Sequence, residues 1–283
     1  MDIIRLPTEM ISWSEKTRES GQTIGLVPTM GYFHEGHLCL MRQAAERSDR
    51  VVVSLFVNPI QFCQGEDLHR YPRDFDRDRK LAEQEGVDLL FAPAVEEMYL
   101  PGAATRVLVA GISDRLCGKS RPGHFEGVTT VVAKLFNLIR PHCAVFGQKD
   151  FQQLALIRKM TRDLNWNIEI IGHPIVREAD GLAMSSRNSY LSGEERRSAL
   201  YLSQAINHAR KSVGRGLTDP VVLMEELQDL AGSFPGVAVE YINFVDRENL
   251  EDVGVVVPGT ILALAAKVGR TRLIDNALIF ENC

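Results

Sequence analysis

Short apolar runs alternate with amphipathic segments over the first two thirds of the chain. The runs at residues 23–27, 51–57, 87–91, 143–146 and 168–171 are almost continuously apolar, which is typical of strands buried on both faces. Between them, residues 38–45, 74–86, 127–139 and 152–164 have the composition or apolar spacing of helices, and residues 105–109 are a candidate for one further strand. The alternation predicts an α/β fold with a Rossmann-like, doubly wound parallel sheet.

The pattern changes near residue 175. Two helical segments, residues 193–213 and 220–231, are followed by strand-like runs at residues 237–245, 260–266 and 272–280. A chain of 283 residues is long enough for two unequal domains, each with its own core. We therefore predict a Rossmann-like domain over residues 1–174 and a smaller α+β domain over residues 175–283.

Three polar loops follow predicted strands, at residues 28–37, 58–62 and 147–150. In an open parallel sheet, ligands bind beyond the carboxyl ends of the strands. These loops are therefore expected to converge on one edge of the sheet.

The tetrapeptide His34-Glu35-Gly36-His37 lies where a strand is predicted to lead into a helix. The first backbone N–H groups of a helix are unpaired and its dipole is positive there, so the position favours an anion such as phosphate. Two alternatives stay open on spacing alone. The histidines can be ordinary polar loop residues, or they can ligate zinc, although no Cys-x-x-Cys or His-Glu-x-x-His motif supplies further ligands.

Composition and charge restrict the class of protein. Hydrophobic residues make up 45% of the chain, and the net charge of -5 disfavours a nucleic-acid-binding surface. The five cysteines are odd in number and scattered, as expected for reduced thiols in a cytoplasm: Cys39, Cys63, Cys117, Cys143 and Cys283. With no signal segment and no 18-residue apolar span, the sequence predicts a soluble cytoplasmic protein without a membrane partner.

Six motifs, in order along nearly the whole chain, resemble those of the pantothenate synthetase (pantoate–β-alanine ligase) family of the HIGH-type nucleotidyltransferase superfamily. They lie at residues 28–37, 56–62, 71–73, 121–128, 146–154 and 177–188. The resemblance implies ATP-dependent condensation of (R)-pantoate with β-alanine to (R)-pantothenate, AMP and diphosphate through a pantoyl adenylate. It also implies a homodimer, and Mg²⁺ held mainly by ATP oxygens.

The resemblance assigns catalytic roles to four residues. His34 and His37 are expected at the ATP phosphates, with His37 as a proton donor, while Lys149 and Arg187 supply positive charge. Attack of a carboxylate on a phosphate joins two anions, so such donors lower the barrier by neutralising the charge of the transition state. In isolation, Lys149 and Arg187 would be read as solvated surface charges.

The same resemblance assigns substrate contacts. Gln61 and Gln153 match pantoate-binding glutamines beside the apolar Met30, and Gln61 is also expected to meet β-alanine. Amides can donate and accept hydrogen bonds without attacking an activated carbonyl. The expected ATP-binding residues are Met30, Gly31, Tyr32, Phe33, His34, Glu35, Gly36, His37, Gly147, Gln148, Lys149, Asp150, Val176, Met184, Ser185, Ser186 and Arg187.

Some positions depart from the family pattern or have uncertain roles. Asp78 is a candidate helper of the metal, but Arg77 stands where a second acidic residue can occur. Gln148 occupies a position often filled by glutamate. Arg121 and His124 belong either to a substrate-side loop or to the structural frame.

Two other functions stay open at this stage. A different HIGH-type nucleotidyltransferase would share the His34 and His37 motif but activate another substrate. A catalytically silent nucleotide-binding module would not need His34, His37, Lys149 and Arg187 together.

Overall fold

Six parallel strands form the sheet of the first domain in a computed structural model that describes residues 1–280; Cys283 lies outside the described residues. The strands are β1 (Asp2–Ile4), β2 (Ile24–Thr29), β3 (Arg50–Leu55), β4 (Leu89–Phe91), β5 (Cys143–Gly147) and β6 (Glu169–His173). Their order is β1-β4-β3-β2-β5-β6. The predicted doubly wound parallel sheet is therefore confirmed.

Helices cover both faces of this sheet. They are α1 (Pro7–Glu19), α2 (Glu35–Ala45), α3 (Phe75–Gln84), α4 (Val95–Met98), α5 (Cys117–Ser120), α6 (His124–Ile139) and α7 (Phe151–Asp163). Successive strand residues point to opposite faces, so Leu26 and Val52 pack in one core while Val27 and Val53 pack in another. Burial on both faces explains why these strands are continuously apolar.

The remaining elements form a smaller unit with an antiparallel sheet. Helices α8 (Gly193–Ala199), α9 (Tyr201–Gly214) and α10 (Pro220–Ala231) precede β7 (Val237–Val245), β8 (Ile261–Val268) and β9 (Thr271–Leu278). The three strands pair in the order β7-β8-β9 around a separate apolar core that includes Leu202, Leu223 and Leu264. This arrangement agrees with a C-terminal α+β domain, while the boundary at residues 174–175 stays a prediction.

Three local features differ from the sequence prediction. Helix α1 has a weak sequence signal, because its buried face combines Met10 with the polar Ser14 and Thr17. The Ser14 hydroxyl donates to the Ile139 carbonyl at 2.5 Å. The three-residue strand β1 is too short to give a periodic signal. The segment predicted as one helix over residues 193–213 is two helices, α8 and α9, that meet at Leu200.

The candidate strand at residues 105–109 is wrong. The Val107 N–H donates to the Thr130 hydroxyl at 3.0 Å, and the Thr129 hydroxyl donates to the Val107 carbonyl at 2.5 Å. Helix α6 therefore satisfies this backbone with side chains, and the segment pairs with no strand among the described residues.

Candidate active site

The three polar loops meet at the carboxyl edge of the parallel sheet, as the sequence predicts. They enclose a cavity of about 230 Å³ that we call the histidine cavity, with Met30, His34, His37, Gln61 and Lys149 in its wall. A second cavity of about 620 Å³, the interdomain cavity, is lined by residues of both domains. The two cavities share wall residues, which are Arg121, His124, Lys149, Asp150, Gln153, Ser185 and Arg187.

The loop before α2 is held by the carboxylate of Asp78, which lies on α3. Its two carboxylate oxygens accept from the backbone N–H groups of Tyr32 at 2.6 Å and Phe33 at 2.7 Å. Gly31 has a φ of 83°, and a Cβ there would lie 2.9 Å from the Asp78 carboxylate. The Asp78 side chain is 1% exposed and does not line the histidine cavity. In this geometry both Asp78 oxygens are directed at the loop backbone, and a role of Asp78 as a metal helper stays a prediction.

The two motif histidines stack at the start of α2, with ring centroids 4.1 Å apart. The His34 backbone N–H donates to His37 Nδ1 at 3.3 Å, which leaves the proton of neutral His37 on Nε2. A Cβ at residue 36 would lie 2.9 Å from the His34 ring, so Gly36 leaves room for this imidazole.

Both imidazoles are uncharged in this site at neutral pH. Burial and then the Lys149 charge lower the pKa of His34 to about 4. Burial, followed by His34 and Lys149, lowers the pKa of His37 well below its usual value. The pair therefore offers neutral N–H donors, and Lys149 offers a cation beside them.

Gln61 is oriented by its neighbours on the loop after β3. The Asn58 amide donates to Gln61 Oε1 at 3.0 Å, and Gln61 Nε2 lies 3.1 Å from Met30 Sδ. Tyr99 in turn donates to Asn58 Oδ1 at 2.9 Å. A Cβ at Gly127 would lie 2.6 Å from the Gln61 Cα. Glycine at this position therefore allows α6 to pack closely against the loop. The Gln61 amide is thus held in one position beside an apolar surface.

His124 and Arg121 support the backbone of the same glutamine. The His124 Nδ1–H donates to the Gln61 carbonyl at 2.6 Å, and Arg121 donates to His124 Nε2 at 2.9 Å. Burial and then the Arg121 charge lower the pKa of His124 to about 4, so the ring is neutral. Arg121 also donates to both oxygens of Glu66, at 2.5 and 2.7 Å. These two residues therefore both line the cavities and brace Gln61.

The adjacent glutamines of α7 have different environments. Gln152 is buried and binds the backbone of Ile112, Arg115 and Cys117. Gln153 faces both cavities. Gln152 lines only the interdomain cavity, so of the two only Gln153 reaches the histidine cavity.

The segment that carries Met184–Arg187 closes the histidine cavity from the second domain. Met184 N–H donates to the Val176 carbonyl at 3.0 Å, and the Ser186 hydroxyl donates to the Tyr32 carbonyl at 3.3 Å. Arg187 donates through Nε and Nη2 to the two oxygens of Asp67, both at 2.9 Å. The guanidinium is thus paired with a carboxylate at the position where a phosphate contact is expected.

The expected ATP-binding residues divide into two groups. Those that line the histidine cavity are Met30, His34, Gly36, His37, Gly147, Lys149, Asp150, Val176, Met184, Ser185, Ser186 and Arg187. Gly31, Tyr32, Phe33, Glu35 and Gln148 do not line it. Phe33 is fully buried, Glu35 pairs with Arg42, and Gln148 donates to the Gly172 carbonyl at 3.2 Å. These three side chains contact neighbouring protein groups, and the ATP contacts expected at the five residues outside the cavity wall stay predictions.

Sequence reasoning missed residues that hold the site together from a distance. Asp67 pairs with Arg187, and Asn276 of β9 donates to the carbonyls of Gln148 and Lys149. The signal for Asn276 was present, because Asp275 and Asn276 are adjacent polar residues inside an otherwise largely apolar strand. Nothing in the sequence pairs Asp67 with Arg187.

Residues 1–280 lack two further features. His, Cys, Asp and Glu side chains nowhere form a group of three that could hold a metal ion in this part of the chain. Every helix there is too short or too polar to cross a bilayer.

Comparison with known proteins gives one consistent result. Residues 2–278 match the family model described as pantoate-beta-alanine ligase. The chain is 53% identical over 279 residues to a pantothenate synthetase of Heliobacterium modesticaldum and 54% identical over 279 residues to one of Thermotoga petrophila, with 99% of this chain covered in each case. The alignments cover 99% and 100% of those proteins.

Solved structures agree. The crystal structure of pantothenate synthetase from Thermus thermophilus superposes with a TM-score of 0.94 at 44% identity, covering 99% of this chain and 100% of that one. The pantoate-beta-alanine ligase of Francisella tularensis, complexed with beta-gamma ATP and beta-alanine, gives a TM-score of 0.82 at 32% identity and covers 99% and 98% of the two chains. The chain belongs to the pantoate–β-alanine ligase family and is a ligase that joins pantoate to β-alanine with ATP.

Proposed function

We propose that the ligation proceeds through a pantoyl adenylate formed in the histidine cavity. A carboxylate oxygen of pantoate attacks the α-phosphorus of ATP, and the bond to diphosphate breaks. The amine of β-alanine then attacks the acyl carbon, loses a proton, and displaces AMP. The observation that carries this proposal is one cavity whose wall contains His34, His37 and Lys149 together with Gln61 and Gln153.

We assign the phosphate end of the site to the start of α2. Neutral N–H donors on His34 and His37 and the unpaired backbone N–H groups of the helix stabilise charge that develops on phosphate oxygens. His37 Nε2–H is the proposed donor because Nδ1 accepts from the His34 backbone. Lys149 adds a compact positive charge.

We propose that Arg187 joins the phosphate end of the site by changing its partner from Asp67 to a phosphate oxygen of ATP. Asp67 occupies the Nε–Nη2 edge of the guanidinium, so a phosphate that approaches this edge competes with that carboxylate. Both groups bind a guanidinium through two oxygens in the same plane. We propose that ATP binding exchanges the Asp67 contact for a phosphate contact and pulls residues 184–187 inward.

We assign the acid substrate to the glutamine end. Gln61 Nε2 and the amide of Gln153 are proposed to bind the hydroxyl and carboxylate oxygens of pantoate, with Met30 against its methyl groups, because all three residues line the histidine cavity. Gln61 is also proposed to contact β-alanine. Asp150 is proposed to accept from ribose hydroxyls, since it lines the same cavity.

Mg²⁺ is proposed as the cofactor, bound through the phosphate oxygens of ATP. The residues described supply no cage for it, and Asp78 is directed at the backbone. When bound, the ion would neutralise phosphate charge.

The assembly and location are proposed as a homodimer in the cytoplasm. The cytoplasmic location is supported by four free thiols, which are Cys39, Cys63, Cys117 and Cys143. Light scattering should give twice the chain mass of 31.6 kDa. A mass of one chain at micromolar concentration would contradict the dimer.

The deciding experiment mixes the protein with ATP, Mg²⁺, pantoate and β-alanine and detects pantothenate and AMP by mass spectrometry. Without β-alanine, labelled diphosphate should exchange into ATP only when pantoate is present. Exchange driven by another acid and absent with pantoate would instead indicate a different HIGH-type nucleotidyltransferase. Absence of turnover with every acid would indicate a nucleotide-binding module.

A further inference from the structure

Two adjacent residues of β9 reach from the second domain to the phosphate end of the site. Asn276 is 6% exposed and Asp275 is 2% exposed, although both are polar and lie in the middle of a strand. The burial of three consecutive residues, 275–277, breaks the alternation that a strand covered on one face would show. Buried polar groups of this kind are normally retained with specific partners.

The Asn276 amide holds the turn that carries Lys149. Its Nδ2 donates to the Gln148 carbonyl at 3.0 Å and to the Lys149 carbonyl at 2.8 Å. Residues Gln148–Asp150 form a single 3₁₀ turn between β5 and α7. One NH₂ group therefore fixes two successive peptide planes on either side of the lysine Cα.

Asp275 holds the segment that leads into residues 184–187, the second proposed phosphate-binding segment. Its two oxygens accept from Arg177 at 2.7 and 3.0 Å, and Arg177 also donates to the Gly181 carbonyl at 3.0 Å. Arg177 and Ala183 form an isolated antiparallel bridge immediately before Met184. The Asp275 carboxylate also accepts from the Asn276 backbone N–H at 2.8 Å, so the two side-chain systems are joined.

We propose that Asn276 is a positioning residue for adenylate formation, which acts by setting the direction of the Lys149 side chain, and that Asp275 and Asn276 together align the two phosphate-binding segments. This inference rests on the proposed role of Lys149. A carboxylate has the shape of an amide but no N–H group, so Asn276→Asp would face two carbonyl oxygens with repulsion in place of two hydrogen bonds. A small error in the placement of a charged group at a reacting phosphate is enough to cost a large factor in rate.

The first test measures pantoate-dependent diphosphate exchange at saturating ATP in four proteins: the parent, Asn276→Asp, Lys149→Ala and the double variant. We expect Asn276→Asp to lower the exchange rate by about 10-fold to 100-fold with the KM for pantoate changed by less than about threefold. In the Lys149→Ala background the same change should cost less than about threefold, because the group it positions is absent. An equal loss in both backgrounds, or no loss in the parent, would overturn the proposal.

The second test reads Lys149 directly and does not depend on turnover. Acetylation of Lys149 by acetic anhydride is followed by peptide mass spectrometry with and without saturating ATP. ATP should protect Lys149 in the parent, and the protection should fall at least about threefold in Asn276→Asp. Unchanged protection in a folded Asn276→Asp protein would refute the positioning role, whereas failure of ATP to protect the parent would remove the proposed role of Lys149 and this inference with it.

The matched control is Asn243→Asp on β7 of the same sheet. Asn243 donates to Asp252 within its own domain at 2.8 Å and lines neither cavity. It undergoes the same chemical change but should keep the parent exchange rate and Lys149 protection. Asn276→Ala, which removes the donors without adding charge, should show the same split between rate and KM if Asn276→Asp does not fold.

Discussion

On the glutamine and histidine side of the cavity, the amide of Gln61 and the ring of His37 are held by hydrogen bonds to uncharged groups, whereas on the other side Arg187 is held by an ion pair with Asp67. Gln61, His37 and His124 are each fixed by a hydrogen bond to a backbone group or a neighbouring amide. Arg187 is fixed by an ion pair with Asp67, a residue of another loop 120 positions away, and lies over the Tyr71 ring. We therefore expect the first side to bind substrate as folded and the second to exchange a carboxylate for a phosphate.

This difference indicates a division of work within the site. A prearranged group contributes its full stabilisation to the transition state because nothing has to be reorganised. A paired guanidinium contributes only the difference between its two partners. Variants of the first side should therefore reduce catalysis strongly, and variants of the ion pair should mainly change ATP binding.

The largest effect is expected for His37→Ala. Loss of a prearranged N–H donor at the phosphate should lower the rate of adenylate formation by about 100-fold or more, with the fold intact. Diphosphate exchange measures the rate, and circular dichroism checks the fold. His208→Ala is the matched control, since His208 is half-buried, pairs with Glu226 and lines neither cavity. A parent rate for His37→Ala would exclude the proposed donor.

Gln61→Ala should raise the KM for pantoate by about tenfold and leave the Kd for ATP nearly unchanged. The amide is one partner in a set of fixed hydrogen bonds, each worth about 1 kcal/mol or more when a substrate oxygen is left without it. Steady-state kinetics and calorimetric ATP titration separate the two constants. Gln152→Ala would be expected to destabilise the fold instead, because it loses three backbone contacts. Equal losses of pantoate and ATP affinity in Gln61→Ala would contradict the assignment.

Lowering the pH should reduce the free energy of unfolding through the buried, neutral His124. The pKa of His124 is about 4 in the folded protein and near 6.5 in an unfolded chain. Between those pH values only the unfolded chain binds the proton, so stability present at pH 7 is lost as the pH falls. His124→Gln should reduce the loss between pH 7 and pH 5 by about 1–2 kcal/mol in urea unfolding. An unchanged pH dependence would show that His124 does not titrate in this way.

The smallest effect should come from Asp67→Asn, which should strengthen ATP binding rather than weaken it. Without a competing carboxylate, Arg187 is free for phosphate, so the Kd for ATP should fall by about threefold. The unpaired guanidinium should also reduce the free energy of unfolding by about 1–3 kcal/mol. Calorimetry and thermal unfolding measure these changes. Weaker ATP binding in a folded Asp67→Asn protein would mean that Asp67 assists the nucleotide rather than competing with it.

Much of the fold followed from the sequence because buried parallel strands have a strong local signature. Val51, Val52 and Val53 identify β3 without reference to any other segment. Residues 105–109 have similar composition, but their backbone is satisfied by Thr129 and Thr130, which local periodicity cannot reveal. Helix α1 escaped prediction for the related reason that its buried Ser14 finds a partner on Ile139.

The candidate site likewise has residues that the sequence predicts and contacts that it does not. The motif residues predicted at His34, His37, Gln61, Lys149 and Gln153 are brought together in one wall, because each follows a strand of the same sheet. The supporting contacts could not be predicted, since Asp67 and Arg187, and Asn276 and Lys149, are more than a hundred residues apart. Such pairs depend on how the domains meet, which no spacing in the sequence encodes.

The Asn276 contact also orders events during synthesis. Asn276 leaves the ribosome 127 residues after Lys149, whereas all six parallel strands end at His173 or earlier. Domains begin to fold while the chain is still being made, so the sheet and its histidine loop can form long before β9 exists. In that interval the lysine turn lacks its amide partner. A nascent chain should therefore be able to form the parallel sheet without carrying a fully aligned phosphate site.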